Sequence, residues 1–164
     1  MKRTANVNFQ GGFATIDFLI VAVIVLIVAT CAFNAILHAQ RGYTLEGAAQ
    51  QFASYMEQAR SDSMRRRATD IRQMAEVTII NAQFYSVRMD EDGDGALDVP
   101  RVVNLQEQQL TVEGPYPRTF MFDRAGKSVD TTGNANPPTA VAFANRSAKS
   151  IIKISDSGKT SREN

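Results

Sequence analysis

Residues 10–37 read QGGFATIDFLIVAVIVLIVATCAFNAIL, and this nearly unbroken apolar run governs the interpretation of the whole chain. Its core, residues 18–33, is apolar except for Thr30, and residues 35–37 bring it to the roughly 20 residues that a membrane-spanning helix requires. One acid, Asp17, lies directly before this core, although a carboxylate in hydrocarbon is costly and indicates a partner or a function. The segment is therefore predicted to be a transmembrane helix whose acid has a specific role.

The rest of the composition argues against an enzyme. The chain has 164 residues and a net charge of +1, so it has room for one modest core and lacks a global field that would attract nucleic acid. Its one cysteine and one histidine, Cys31 and His38, lie in or beside the apolar run. An intrachain disulfide is excluded, and zinc sites and Ser-His or Cys-His catalysis lose their usual residues. We expect a protein that is not an enzyme.

The order of features around the apolar run favours an anchor over a cleaved secretory signal. Small residues should follow the core of a secretory signal, whereas Gly11 and Gly12 precede it. Lys2 and Arg3 precede the run and only Arg41 follows closely, so the charge bias places the N-terminus in the cytoplasm and the C-terminal bulk outside it.

Beyond the run the chain continues without proline, and its apolar residues recur in steps of three and four. This spacing is one stripe of an amphipathic helix. We predict a single helix from Phe13 to Arg67, apolar all round in its first half and amphipathic in its second. The cations Arg65 and Arg66, with Arg67, suit the negative end of the helix dipole; a contact with lipid headgroups or with a neighbouring subunit is the alternative. The stripe consists of Leu45, Ala48/Ala49, Phe52, Met56 and Ala59.

After residue 67 the pattern changes to short segments rich in β-branched and aromatic residues, separated by Gly, Pro, Asn and Asp. No helix-length stretch separates them, so neighbouring strands should pair mainly antiparallel, with the amphipathic half-helix on one sheet face. The predicted fold class is α+β. The seven predicted strands are VTIIN, FYSVRM, RVVNL, LTVE, RTFMFD, AVAFA and SIIKIS.

The pair Gly12-Phe13, the acid Asp17 and the long apolar run together resemble the class III signal of type IV pilins and type II secretion pseudopilins. The resemblance implies that a prepilin peptidase cuts after Gly12 on the cytoplasmic side and N-methylates Phe13. It also implies that Asp17 meets the cationic N-terminus of a neighbouring subunit during assembly. The chain departs from the family in having Asp17 where Glu is usual and Asn34 where many pilins have a helix-kinking proline.

The C-terminal part is similar to the GspH/FimT group of minor pilins and pseudopilins. The similarity is carried by the Ala/Arg-rich helix end that leads into the first strand, by the RTFMFDRAGKSV turn and by the last predicted strand closed by Ser-Gly-Lys. It implies a pilin-like domain order and a structural subunit of a type IV pilus or a type II secretion pseudopilus. The alternatives are a competence minor pilin that binds DNA and an ordinary single-pass anchor that never polymerises. The order is a leader (1–12), a transmembrane and assembly helix (13–39), an amphipathic half-helix (40–67) and a β-rich domain (68–164).

Residues 90–98, DEDGDGALD, form a candidate calcium loop. Counted from the first acid, carboxylates stand at positions one, three, five and nine, glycine at six and an apolar residue at eight, as in an EF-hand loop, while position twelve is Arg101 instead of Glu. A solvated Asp/Gly turn between two strands is the equal alternative. The candidate ligands are Asp90, Asp92, Asp94 and Asp98.

The C-terminal tail carries a candidate nucleic-acid element. Some FimT-like minor pilins bind DNA through a Gly-Arg-x-Arg element, which Gly158, Lys159 and Arg162 approximate with longer spacing and with Lys in place of Arg. A few cations beside Asp156 and Glu163 supply only salt-dependent phosphate affinity. A plain solvated final strand is the favoured interpretation.

Overall fold

The computed structural model describes residues 11–137 and 139–163, with side chains from Ile16 onward. Most of the predicted leader, residues 1–10, therefore lies outside the described residues. Helix α1 spans Gly11–Arg66, within two residues of its predicted start and one of its predicted end. The chain divides into two compact units at the Gln40–Arg41 bond, and we describe each unit by itself.

The first unit contains the apolar part of α1. It belongs to the one helix among the described residues that is long and apolar enough to cross a membrane, and none of the side chains in its most apolar window is buried. Apolar side chains are exposed around the whole circumference, as expected of a segment whose natural surroundings are lipid or other apolar helices.

The second unit has the predicted α+β architecture, and its described residues form nine strands in two antiparallel sheets. The first sheet has the order β3-β2-β1-β5-β6 and the second the order β4-β7-β8-β9. The first sheet consists of β1 (Glu76–Ile79), β2 (Phe84–Arg88), β3 (Arg101–Asn104), β5 (Arg118–Phe122) and β6 (Ser128–Val129). The second consists of β4 (Thr111–Glu113), β7 (Thr139–Ala144), β8 (Lys149–Ile154) and β9 (Thr160–Glu163).

The amphipathic half of α1 supplies the centre of the core, and every residue of its predicted stripe is buried. Phe52 joins the helix to both sheets: its ring centroid lies 5.3 Å from that of Tyr85 on β2 and 5.2 Å from that of Phe143 on β7. Such offset and edge-on aromatic pairs stabilise a core beyond the area that they bury. The helix therefore fixes the position of the two sheets.

Two strands are additional to the seven predicted ones. Strand β6 has two residues and follows the turn after β5, and β9 follows the turn that was predicted to close the last strand. In β9, Thr160 pairs with Ile154 and Arg162 with Ile152, so β9 is an edge strand of the second sheet. The prediction that SIIKIS is the last strand is wrong.

Candidate functional site

The predicted cleavage and assembly residues lie at the start of α1. Gly12 and Phe13 belong to its first turn, and the Phe13 side chain lies outside the described ones. Asp17 is exposed, and within the described part of the chain no cation contacts its carboxylate. Asp17 is thus an exposed acid at the beginning of an exposed apolar helix, with no cationic partner among the described residues.

The other end of α1 carries a network of ion pairs. The sequence analysis identified the arginines of this network but not their acidic partners. Asp62 is buried, and its carboxylate is 2.6 Å from Arg66 Nη2 and 3.0 Å from Arg65 Nη2. These are contacts between residues three and four apart, which face each other on a helix. Arg67, the third cation, is exposed and ends the helix in the left-handed conformation, with φ = 52°.

The same arginines hold the acidic loop between β2 and β3. Arg65 Nη2 lies 3.3 Å from Asp90 Oδ2 and donates to the Asp90 carbonyl oxygen at 3.1 Å. Asp62 Oδ2 in turn accepts a hydrogen bond from the Asp90 backbone N–H at 3.3 Å. The helix end and the beginning of the loop are therefore joined by direct charge-assisted contacts.

The side chain of Asp90 stabilises the loop by accepting hydrogen bonds from its backbone. It is buried, and its carboxylate accepts the backbone N–H groups of Gly93 at 2.6 Å and Gly95 at 3.1 Å. Burial acts to raise the pKa of Asp90, but the two N–H groups and the charge of Arg65 outweigh it and hold that pKa below its usual value. Gly95 adopts φ = 91°, which explains the glycine at the position where the loop turns sharply.

Three of the four candidate ligands converge. Carboxylate oxygens of Asp90, Asp92 and Asp98 lie within 4.8 Å of one another, whereas Asp94 is not part of this group. The Asp94 carboxylate accepts the backbone N–H of Ala96 at 2.7 Å and so belongs to a local turn. The convergent set is made of hard oxygen donors, which suit Ca²⁺ better than a transition metal. Arg65 is the competing cation, because it already contacts Asp90.

The two candidate nucleic-acid residues have different surroundings. Lys159 is exposed in the turn between β8 and β9, whereas Arg162 on β9 pairs with Glu46 of α1. On the same strand Glu163 pairs with Lys153 at 2.9 Å. The described structure therefore uses Arg162 to attach the last strand to the helix.

The sequence analysis did not predict that acidic residues of α1 form contacts that stabilise the domain. Asp62, Glu57 and Glu46 each accept a contact from a later segment of the chain or from the helix end. The spacing of Asp62 to Arg65 and Arg66 was a visible signal, because an acid three or four residues before a cation predicts a helical ion pair. Nothing in the spacing linked Glu57 or Glu46 to β9, since those contacts depend on the sheet topology.

Comparisons of the chain with family models, with curated proteins and with solved structures gave no significant match. The functional argument therefore depends on the residues themselves.

Proposed function

We propose that the chain is a minor pilin or pseudopilin of the GspH/FimT type: a structural, non-enzymatic subunit of a type IV pilus or a type II secretion pseudopilus. Support comes from the N-terminal pattern of Gly12, Phe13, Asp17 and a long apolar run. The arrangement of one long helix followed by antiparallel sheets is in keeping with a pilin-like subunit.

The observation that carries the proposal is an acid on an exposed apolar helix, with no cation in contact with it in the part of the chain that the structure describes. A simple membrane anchor accounts for the apolar side chains but gives no reason for a carboxylate at Asp17, which hydrocarbon disfavours. Cleavage after Gly12 creates a new amino group on Phe13. The amino group of a neighbouring subunit and Asp17 then attract each other strongly in a low-dielectric environment, and each relieves the burial of the other.

This proposal defines partners and location. Prepilin peptidase would cleave and methylate the precursor, and other pilins or pseudopilins would pack against the helix. The precursor would cross the bacterial inner membrane once, with its N-terminus in the cytoplasm and residues 41–164 in the periplasm. The mature chain would enter the filament by packing of its apolar segment.

Substitution of Gly12 tests the proposal. On co-expression with a prepilin peptidase, the wild-type chain should shift to a shorter species, and Gly12→Val should remain at full length because it replaces the glycine before the proposed scissile bond with a branched residue. Gly11→Ala is the matched control and should be processed. Full-length wild-type protein in the presence of active peptidase would contradict the proposal and favour a non-polymerising anchor.

The convergence of carboxylates favours a second, subsidiary proposal, a structural calcium site. Asp90, Asp92 and Asp98 would bind the ion, and the missing acid at Arg101 predicts weak affinity, with a dissociation constant on the order of 10⁻⁴–10⁻³ M as in extracellular modules. Such a site would stiffen the connection between β2 and β3 at the end of α1.

DNA binding through Lys159 and Arg162 stays a prediction from sequence, because the pairing of Arg162 with Glu46 gives it no additional support.

A further inference from the structure

The polar residues of the apolar helix segment share one face. Between residues 17 and 38 the polar or ionisable side chains are Asp17, Thr30, Cys31, Asn34 and His38. The structure places all of them on one continuous α-helix, on which steps of three and four residues return to the same line. Cys31, Asn34 and His38 follow one another in such steps, with Thr30 beside them.

The line continues through isoleucines towards the N-terminal end of the helix. Ile27, Ile24 and Ile20 precede Cys31 in further steps of four and three residues, and Asp17 stands one step before Ile20. We call this surface the polar seam. It consists of Ile20, Ile24, Ile27, Cys31, Asn34 and His38, all of which are exposed.

Asn34 is exposed and has hydrogen-bonding capacity that the described residues of its own helix do not use. Asn34 Nδ2 donates to the Thr30 carbonyl oxygen at 3.0 Å, and Thr30 Oγ1 donates to the Ile27 carbonyl oxygen at 2.8 Å. Among the described residues no donor reaches the side-chain oxygen of Asn34. An amide oxygen without a donor is unfavourable in hydrocarbon, so a second helix with a donor at this depth would satisfy it.

We propose that the polar seam binds the same surface of a second copy of this chain, in parallel and in register, within the bilayer. The inference rests on the membrane topology of the proposed function, which gives every copy the same orientation. A carboxamide is both donor and acceptor, so Asn34 of one copy can satisfy Asn34 of the other. A slip by seven residues would place Asn34 opposite Ile27 and leave its amide unpaired.

The apolar part of the seam suits the same arrangement. Alternating steps of three and four residues form the contact line of a left-handed helix pair, and a carboxamide on that line can specify the register. Inter-helical hydrogen bonds between such side chains contribute to association in membranes. The isoleucines therefore supply packing, and Asn34 supplies the register.

The polar seam also determines where the charges proposed for assembly would meet. Asp17 begins the line, and the amino group freed on Phe13 lies one step of four residues before it. In an in-register pair, two amino groups and two carboxylates would meet at the same end of the contact surface. Each Asp17 then has a cation from the other copy within the same interface, which makes the seam the route to the proposed charge pairing.

The native cysteine is the probe for the test, because Cys31 is the only cysteine of the chain and lies on the seam. The full-length protein is reconstituted in vesicles of phosphatidylethanolamine and phosphatidylglycerol, oxidised mildly, and analysed by non-reducing electrophoresis. We expect a disulfide-linked dimer. Asn34→Leu should lower its yield by about three- to tenfold, the range that an inter-helical hydrogen bond supplies.

Two control variants use the opposite face of the helix. Phe33→Leu should leave the yield unchanged, and the exchange Cys31→Ala with Ala29→Cys should abolish cross-linking, because residues 29 and 33 lie away from the seam. Equal cross-linking through positions 29 and 31, or an unchanged yield in Asn34→Leu, would overturn the inference.

Processing by prepilin peptidase, measured on the same samples, separates the two proposals. A chain that is cleaved after Gly12 but does not cross-link through Cys31 contradicts the seam and leaves the proposed function standing. A chain that cross-links through Cys31 but resists cleavage contradicts the proposed function and supports the seam.

Discussion

The carboxylate of Glu57 on α1 accepts two hydrogen bonds from Thr160, the first residue of β9: one from the backbone N at 3.0 Å and one from Oγ1 at 3.1 Å. The donors and the acceptor are separated by most of the domain in sequence. The contact therefore attaches the last strand of the chain to the helix, next to the pairing of Arg162 with Glu46.

Removal of the Glu57 carboxylate should loosen β9. Glu57→Ala should lower the free energy of unfolding by about 1–2 kcal/mol, because two hydrogen bonds to a charged acceptor are lost at a partly exposed site. Amide hydrogen exchange should accelerate in β9 more than in β8. Glu57→Gln, which keeps an acceptor, should lose less, and the exposed Gln58→Ala should change stability by less than about 0.5 kcal/mol. Equal effects of the Glu57 and Gln58 variants would contradict this role.

The end of α1 predicts a stabilising substitution. Arg67 has φ = 52°, and the N–H of Ala68 bonds to the Ser63 carbonyl at 3.1 Å, which is the Schellman ending that normally has glycine at this position. Arg67→Gly should raise the free energy of unfolding by about 0.5–1 kcal/mol because it removes the left-handed strain of a residue with Cβ. Arg67→Ala, which keeps Cβ, is the control and should not stabilise. Thermal melting in detergent measures both.

The hydrogen bonds in the loop after β6 predict that the stability of the fold depends on pH. Hydrogen bonds from Thr132 Oγ1 and from the backbone N–H groups of Asn134 and Thr132 lower the pKa of Asp130 in the folded chain. A lowered folded pKa stabilises the fold above the ordinary carboxyl pKa of about 3.9, and this contribution disappears as the pH falls through the lower folded value. Asp130→Asn should therefore be less stable than wild type at pH 7, and the difference should shrink below about pH 4. A difference independent of pH would contradict the assignment.

The calcium proposal predicts different effects for two neighbouring acids. Calcium at millimolar concentration should raise the melting temperature of the wild type, and Asp92→Ala and Asp98→Ala should abolish the rise. Asp94→Ala should keep it, because Asp94 lies outside the convergent set. Sequence spacing alone would have made Asp94 a ligand, so this variant distinguishes the observed geometry from the EF-hand pattern.

Substitution of Arg65 is expected to enlarge the stabilising effect of calcium. It contacts Asp90 as a competing cation, so Arg65→Gln should lower the melting temperature without calcium and enlarge the rise with calcium. No calcium-dependent rise in the wild type, together with no rise in Arg65→Gln, would contradict a metal site. The loop would then be an acidic turn held by arginine.

The sequence predicted the helix and most strands because their signals are local. The apolar run and the stripe through Leu45, Phe52 and Met56 define α1, and the seven predicted strands are rich in apolar, β-branched or aromatic residues. Strand β9 reads Thr-Ser-Arg-Glu and has no such pattern. It forms because Ile152 and Ile154 on β8 offer backbone partners and because Glu57 and Glu46 hold it from the helix.

The acidic loop was predictable in position but not in detail. Spacing identified the carboxylates and the turn at Gly95, since both depend on neighbouring residues. The contact of Arg65 with Asp90 and the exclusion of Asp94 from the convergent set depend on how the helix end meets the loop. Such contacts between distant segments follow from the packing of the domain, which no short motif encodes.

The first residue of the mature chain tests the central proposal most directly. Mass spectrometry of the protein recovered from assembled filaments should find Phe13 at the N-terminus, carrying one added methyl group, because cleavage after Gly12 frees the amine that pairs with Asp17 of a neighbour. Recovery of filament protein that still begins with the intact leader would contradict the account.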